Sequence, residues 1–273
     1  MRLTKIKICG IPFDNLPLSG ALARIIAFIR EGEFHFIAHP NVQHVILSSR
    51  DKGFRRAYAA VDLMLADGMP LVWLSRIVGR PLEERITGHE LLPLLLARSV
   101  ECGYSVFVLK GGSAAALEET VGRLRARFAG LAIAGYHAVP YDFDYRTDAG
   151  TNEEALGAIK SARPDILLVA LGAPAQEKWI YGNRERLRRV SACIATGGAL
   201  EIMTGKVQEA PRWVKDAGLE WCFRLCQEPR RLWKRYLLRY PLFVPIALKE
   251  IVDSGIRAAS GAAKEIERRC AAG

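Results

Sequence analysis

The chain has 273 residues, half of them hydrophobic, which is ample for the core of one large domain or of a domain with an appendage, and excludes disorder as its main character. No stretch reaches the ~18 apolar residues that spanning a bilayer requires: "LLPLLLA" and "PLFVPIAL" are too short, and the N-terminus "MRLTKIKICGIPFDNL" lacks the apolar core of a signal peptide. A formal net charge of +10 points to a polyanionic partner, whether nucleic acid, a phospholipid surface or phosphorylated substrates.

In chain order, "FHFIAHPN" is the first clear strand-like run, and "LMLADGMPLVW" follows as an apolar run broken at Asp67-Gly68. A helix is predicted over 88–102, a strand at "YSVFVLKGG", a helix over 113–128 and a strand at "LAIAGYHA". Helix 152–161, strand "PDILLVALGAP", helix 175–188 and strand "VSACIATGGA" complete the alternation. Strands alternating with helices predict an α/β fold, an open and mainly parallel sheet with helices on both faces. Ligands of such folds bind beyond the carboxyl ends of the strands, so the loops beginning at His39, Asp67, Gly111, Gly172 and Gly197 are the places to look.

After about residue 210 the character changes. Residues 211–240 hold three of the five tryptophans and eight Lys/Arg against three Asp/Glu. Pro229 is expected to divide this segment into two helices, since proline suits a first helical turn and breaks an interior. The stretch 246–270 reads as one more helix. The division is thus a core over 1–210 and a helical, basic and aromatic appendage over 211–273. Six scattered cysteines without a CxxC pair read as reduced thiols in a cytosolic setting, with Cys222 and Cys226 expected to be buried on one helix face.

Several motifs admit both a chemical and a plain structural reading. Asp67-Gly68 is ordinary turn chemistry or a carboxylate at a strand end. "KGGSAA", containing Gly111, is a strand-to-helix turn or a phosphate-binding loop. "LGAPAQEKWI" sets Gly172, Gln176 and Lys178 at the start of a helix, either as a solvated first turn or as donors to a sugar or diphosphate. In "ERITGHEL", Thr87 and Glu90 form a capping box in the plain reading, with Arg85 a surface cation. "YDFDY" at 141–145 resembles a metal-holding Asp-x-Asp pair but reads mainly as structural, and the histidines lack zinc-like spacing. The segment 211–240 suits a membrane interface, a nucleic-acid surface with phosphates on arginine and bases on rings, or a helix packed on its own domain.

In order along the chain, "HPNVQHV", "ADGMPLVW", "ERITGHEL", "LGAPAQEKWI", "GGALEIMTGKV", "APRW", "GLEWCFRL" and "EPRRLWKRY" resemble the WecG/TagA/CpsF family of bacterial glycosyltransferases, from about Phe34 to Tyr240. The resemblance implies a Rossmann-like fold and an inverting transfer from a UDP-sugar to a polyprenyl-diphosphate-linked saccharide, in cell-surface polysaccharide synthesis. It places the protein in the cytoplasm, peripheral on the inner face of the cytoplasmic membrane. It also implies catalysis without a bound metal, Asp67 as general base, and an appendage that brings arginines to the lipid diphosphate and meets an anionic membrane surface. Asn41, Gly68, Arg85, Thr87, Gly111, Gly172, Gln176, Lys178, Arg224, Arg231 and Arg235 are the expected substrate-binding residues. On one unbroken helix Arg224, Arg231 and Arg235 would share a face. A homo-oligomer is compatible with the sequence. The alternative reading is a basic nucleic-acid-binding module using 211–240.

The chain departs from the family pattern at His39, where threonine is common, near Pro70, at His89-Glu90, and at Glu209. The first three border the expected pocket and bear on which sugar it takes. His39 is left as an auxiliary acid/base or a hydrogen-bond donor, with Asp67 kept as the base.

Overall fold

The computed structural model describes residues 4–256, except for the side chains of Arg212, Asp216 and Arg231. A hairpin of β1 (Lys5–Ile8) and β2 (Ile11–Asp14) opens the chain, followed by α1 (Leu18–Glu31). The central sheet is built from β3 (His35–Ala38), β4 (Leu63–Met64), β5 (Val106–Gly111), β6 (Ile133–Val139), β7 (Ile166–Ala170) and β8 (Ala192–Ala195). Its order is β4-β3-β8-β7-β5-β6, and every pairing is parallel. Between the strands run α2 (Val42–Arg50), α3 (Lys52–Ala59), α4 (Met69–Ile77), α5 (Gly88–Cys102), α6 (Ala114–Arg127), α7 (Ala149–Ala162) and α8 (Ala175–Asn183), and α9 (Ala199–Met203) follows β8.

Strand alternation decides what each face carries. In β5, Phe107 and Leu109 enter one apolar cluster while Val106 and Val108 enter the other, and in β7 Leu167 and Val169 oppose Ile166 and Leu168 in the same way. Buried residues of α2, α3, α4, α7 and α8 belong to the first cluster. Those of α1, α5, α6 and α9 belong to the second. Near-continuous apolar strands are what a sheet covered on both faces requires. The predicted α/β architecture is therefore present. Helix 88–102 has the predicted limits, whereas the helix predicted over 175–188 ends at Asn183.

The hairpin was not among the sequence expectations. Asp14 fastens it to the sheet by accepting the Met64 N–H at 2.9 Å.

The C-terminal segment is more broken than predicted. It comprises α10 (Arg212–Asp216), α11 (Glu220–Gln227) and α12 (Pro229–Trp233), with Pro229 starting the last as expected. A π-helical run, Lys234–Arg239, and a single turn at Tyr240–Leu242 lead into α13 (243–256). Leu232 and Tyr236 are buried, and Phe243, Ile246, Ala247 and Ile251 pack against the first cluster. Gly218 lies so close to Trp73 of α4 that a Cβ there would meet the indole at 2.6 Å, and its φ of +69° also favours glycine. Cys222 and Cys226 share α11 but are exposed, which corrects the expectation of burial: this short helix lies at the surface and buries none of its residues. The part of the predicted 246–270 helix beyond residue 256 lies outside the described residues.

Leu168 is fully buried in the central strand β7. Leu168→Ala should cost about 2–5 kcal/mol of stability in urea denaturation followed by circular dichroism. A loss below about 0.5 kcal/mol would contradict the packing described.

Candidate active site

The helix after β3 (α2) covers one face of the sheet, and the helix after β8 (α9) covers the other, although the two strands are neighbours. Their loops diverge and open a crevice beyond the strand ends, the place where open α/β sheets bind ligands. A cavity of about 380 Å³ occupies it. Its core wall comes from the loops after β3, β4, β7 and β8, and its outer wall from Gly218 to Tyr240.

Asp67 ends the β4 segment and lines this cavity. Its N–H donates to the Pro40 carbonyl at 2.8 Å, which ties the β4 and β3 loops together. Gly68 follows with a φ of +131°, a conformation that disfavours any side chain, and serves as N-cap of α4. The Asp67 side chain touches the cavity but lies deep within protein. Burial pushes its pKa up to about 7, and the Glu220 carboxylate pushes the same way against Arg85 and Arg224. No side chain among the described residues hydrogen-bonds its carboxyl. This carboxyl is therefore poised to take and release a proton near neutral pH.

His39 ends β3 and is 7% exposed. Both ring nitrogens are buried without a hydrogen-bond partner. Burial holds its pKa down at about 4; the Ala195 carbonyl opposes this but stands short of hydrogen-bond geometry. The ring is thus a neutral imidazole at the cavity wall, offering one donor and one acceptor.

Arg85 joins core and C-terminal segment: it donates to Glu90 at 2.8 Å and to Glu220 of α11 at 2.9 Å. His89 stands 3.7 Å from both Glu209 and Glu220, and burial lowers its pKa. Across the cavity, Arg224 and Arg235 each have a buried Nε without a partner. A terminal nitrogen of Arg224 lies over Gly198, only 3.2 Å from where a Cβ would stand, and Arg235 donates to the Tyr240 hydroxyl at 3.2 Å. Buried donors left unpaired are costly, so these two guanidinium groups suit an anionic ligand.

The cavity gathers Asp67, His39, Asn41, Gly68, Arg85 and Gly172, and with them Gln176, Arg224 and Arg235. Three expected binding residues lie elsewhere. Thr87 is fully buried as the N-cap of α5, its hydroxyl donating to Glu90, so the plain capping reading holds. Gly111 closes β5, two strands beyond β8, and faces the Tyr141 ring. Lys178 pairs with Asp51 at 2.5 Å and borders a second hollow beside Asp142, Asp144 and Tyr145. In that hollow Arg146 holds the Asp144 carboxyl down at about 2, so one acid of the Asp-x-Asp pair is already engaged. The Arg231 side chain lies outside the described residues.

The sequence indicated His89 only as a departure bordering the pocket, and Glu220, Tyr236 and Tyr240 were passed over. Glu220 stands in the same "GLEWCFRL" stretch as Arg224, and its acidic charge among cations was the available signal. The tyrosines gave none, because the π-helical run that turns them inward has no sequence signature of its own.

The crevice thus sets a proton-accepting carboxyl against guanidinium groups whose buried Nε atoms lack partners, an arrangement compatible with a transferase. The model of the glycosyl transferase WecG/TagA/CpsF family matches residues 6–256, and the chain belongs to that family of glycosyltransferases. It is 31% identical over 219 residues to the N-acetylglucosaminyldiphosphoundecaprenol N-acetyl-beta-D-mannosaminyltransferase of Bacillus spizizenii, covering 80% of each chain. The protein of the same name from Bacillus subtilis is 29% identical over 253 residues, 89% of this chain and 91% of its own. That of Staphylococcus aureus strain MW2 is 25% identical over 242 residues, 88% and 91% of the two chains.

The carboxyl carbon of Asp67, followed by ¹³C NMR, should titrate with a midpoint close to 7. Glu220→Gln should lower that midpoint, because it removes a charge that opposes ionisation. A wild-type midpoint in the ordinary carboxylate range would contradict the electrostatics described.

Proposed function

We propose that the protein transfers an N-acetylhexosaminyl-type sugar, with inversion, from a UDP-sugar to a polyprenyl-diphosphate-linked saccharide in cell-surface polysaccharide synthesis. The relatives' names specify a diphosphoundecaprenol-linked acceptor and an N-acetylmannosaminyl group, which supports this substrate class. The observation that carries the reading is the opposition of Asp67 to Arg224 and Arg235 across one cavity. An acceptor hydroxyl attacks the anomeric carbon while the bond to the UDP oxygen breaks. Asp67 takes the hydroxyl proton, and UDP leaves with the electron pair. A single displacement inverts the anomeric centre. Arg224 and Arg235 offer charge to the diphosphates, which leaves no step that needs a divalent metal. Neutral His39 supplies a hydrogen bond to a sugar rather than a second base.

Location follows from the outer surface. No helix among the described residues is long and apolar enough to cross a membrane. Trp213, Trp233, Leu237 and Leu238 are exposed, and so are Arg230 and Lys234 of the same segment. Rings and leucines that enter the headgroup region, with cations worth about 1 kcal/mol each near an anionic leaflet, suit a peripheral position on the inner face of the cytoplasmic membrane. The nucleic-acid alternative lacks comparable support, since Arg224 and Arg235 face the cavity.

Incubation with UDP-N-acetylhexosamines and a short-chain prenyl-diphosphate sugar should yield product, with or without EDTA. Asp67→Asn should keep fold and donor binding but lose about 10²–10⁴-fold in turnover. His39→Ala should lose less, mainly through KM. Near-wild-type turnover of folded Asp67→Asn removes Asp67 from the base role, and complete loss in EDTA with rescue by Mg²⁺ overturns metal independence.

Adsorption and catalysis should also separate. The double variant Leu237→Asp/Leu238→Asp should bind anionic vesicles poorly in co-sedimentation while processing the short-chain acceptor normally. Arg224→Ala should do the reverse, because one lost charge hardly changes adsorption but leaves a diphosphate unpaired. Unchanged vesicle binding by the leucine variant would remove this surface from the membrane contact.

A further inference from the structure

At the cavity floor lies a carboxylate to which the transfer chemistry assigns no role. Glu177, in the first turn of α8, is 1% exposed. Its Oε1 accepts from Gln176 Nε2 at 2.9 Å and lies 3.3 Å from His44 Nε2. At the far side of the imidazole, His44 Nδ1 accepts the Asn41 backbone N–H at 3.1 Å. A backbone N–H can only donate, so the lone pair is on Nδ1 and the proton on Nε2, facing Glu177. Asn41 Oδ1 also stands 2.9 Å from Nδ1 and accepts the Gln43 N–H at 3.0 Å. The other branch runs through Gln176, whose Oε1 accepts the Gly197 N–H at 3.0 Å.

We propose that Glu177 is a positioning residue that holds three strand-end loops in catalytic register, through His44 to the β3 loop and through Gln176 to the β8 loop. Glu177 itself stands in the first turn of α8, directly after the β7 loop, so a single carboxylate oxygen joins all three. The β3 loop carries His39 and Asn41, and its Pro40 carbonyl receives the Asp67 N–H, so the β4 loop that bears the base is linked at one remove. The β8 loop carries Gly197, at a φ of +50°, and Gly198, over which Arg224 rests. His44 is kept from rotating by Phe54 and Tyr58, with ring centroids 6.0 and 5.8 Å away. Gln176 is thereby reassigned: its oxygen and one N–H are used inside the protein, which makes it the second arm of the clamp. A carboxylate suits this place because it only accepts, and both neighbours present donors to its Oε1. A glutamine there could keep its oxygen toward both donors, since Oε2 is buried without a partner, whereas a methionine of similar length removes the acceptor from both arms.

The consequence for turnover rests on the glycosyltransferase chemistry proposed above, whereas the clamp is tested without it. In the full-length protein, Glu177→Met should speed amide hydrogen exchange at Asn41 and Gly197 by about tenfold or more, while Val108 and Leu168 in the core strands stay protected. In the same variant, kcat per folded molecule should fall by about tenfold or more, with no matching change in melting temperature. Packing alone would move the melting temperature and leave kcat per folded molecule unchanged. Unchanged exchange at both amides overturns the proposal. If Glu177→Met does not fold, His44→Leu should release the Asn41 amide alone and Gln176→Leu the Gly197 amide alone; any other pattern also overturns it. Loosened amides in a protein whose wild type transfers no sugar would count against the transfer chemistry and not against the clamp.

Discussion

The site depends on the divergence of two adjacent strands. β3 and β8 are hydrogen-bonded neighbours, yet α2 packs on one face of the sheet and α9 on the other. A polypeptide leaving a strand end cannot fill the gap between two helices that separate in this way, so the crevice is a geometric consequence of strand order. The loops after β4 and β7 flank it. Strand spacing of about 4.8 Å then puts side chains from four strand ends within the width of one extended ligand.

Charge in the crevice is distributed so that opposite tasks do not cancel. Asp67 is destabilised as an anion by burial and by Glu220, while Glu220 and Glu90 are occupied by Arg85. Arg224 and Arg235 retain buried donor atoms without partners. A carboxyl whose pKa stands near 7 can exchange a proton at low cost, whereas a guanidinium keeps its charge at any accessible pH. His39 and His89, both depressed by burial, add polarity without adding fixed positive charge beside the base.

The C-terminal segment closes the crevice because of its interruptions. A continuous helix would set Arg224 and Arg235 on one straight face. Glu228 instead leaves the helical conformation, Pro229 restarts the helix, and the π-helical run widens the turn that brings Arg235, Tyr236, Arg239 and Tyr240 to the cavity. Burial of Leu232 and Tyr236, the close approach of Gly218 to Trp73 and the packing of α13 hold that wall in place. The same segment turns Trp213, Leu237 and Leu238 outward, so substrate contact and surface contact fall on different residues of one short stretch.

Local pattern was sufficient for the α/β alternation, for α5 with its Thr87–Glu90 capping box, and for the break at Pro229, because periodicity, caps and proline act within a few residues of sequence. It also led to the loops that bear His39, Asp67, Gly172 and Gly197, since a strand end is legible wherever an apolar run stops at turn residues. Which loops share a cavity was not legible. Gly111 and Lys178 stand at strand ends much as Gly172 does, yet the order β8-β7-β5 carries Gly111 away and Asp51 draws Lys178 aside. The raised carboxyl of Asp67, the neutrality of His39 and the His44–Glu177–Gln176 clamp were decided by tertiary structure alone. Each arises from desolvation and from contacts between groups distant in sequence, and neither is specified until the sheet brings those groups together.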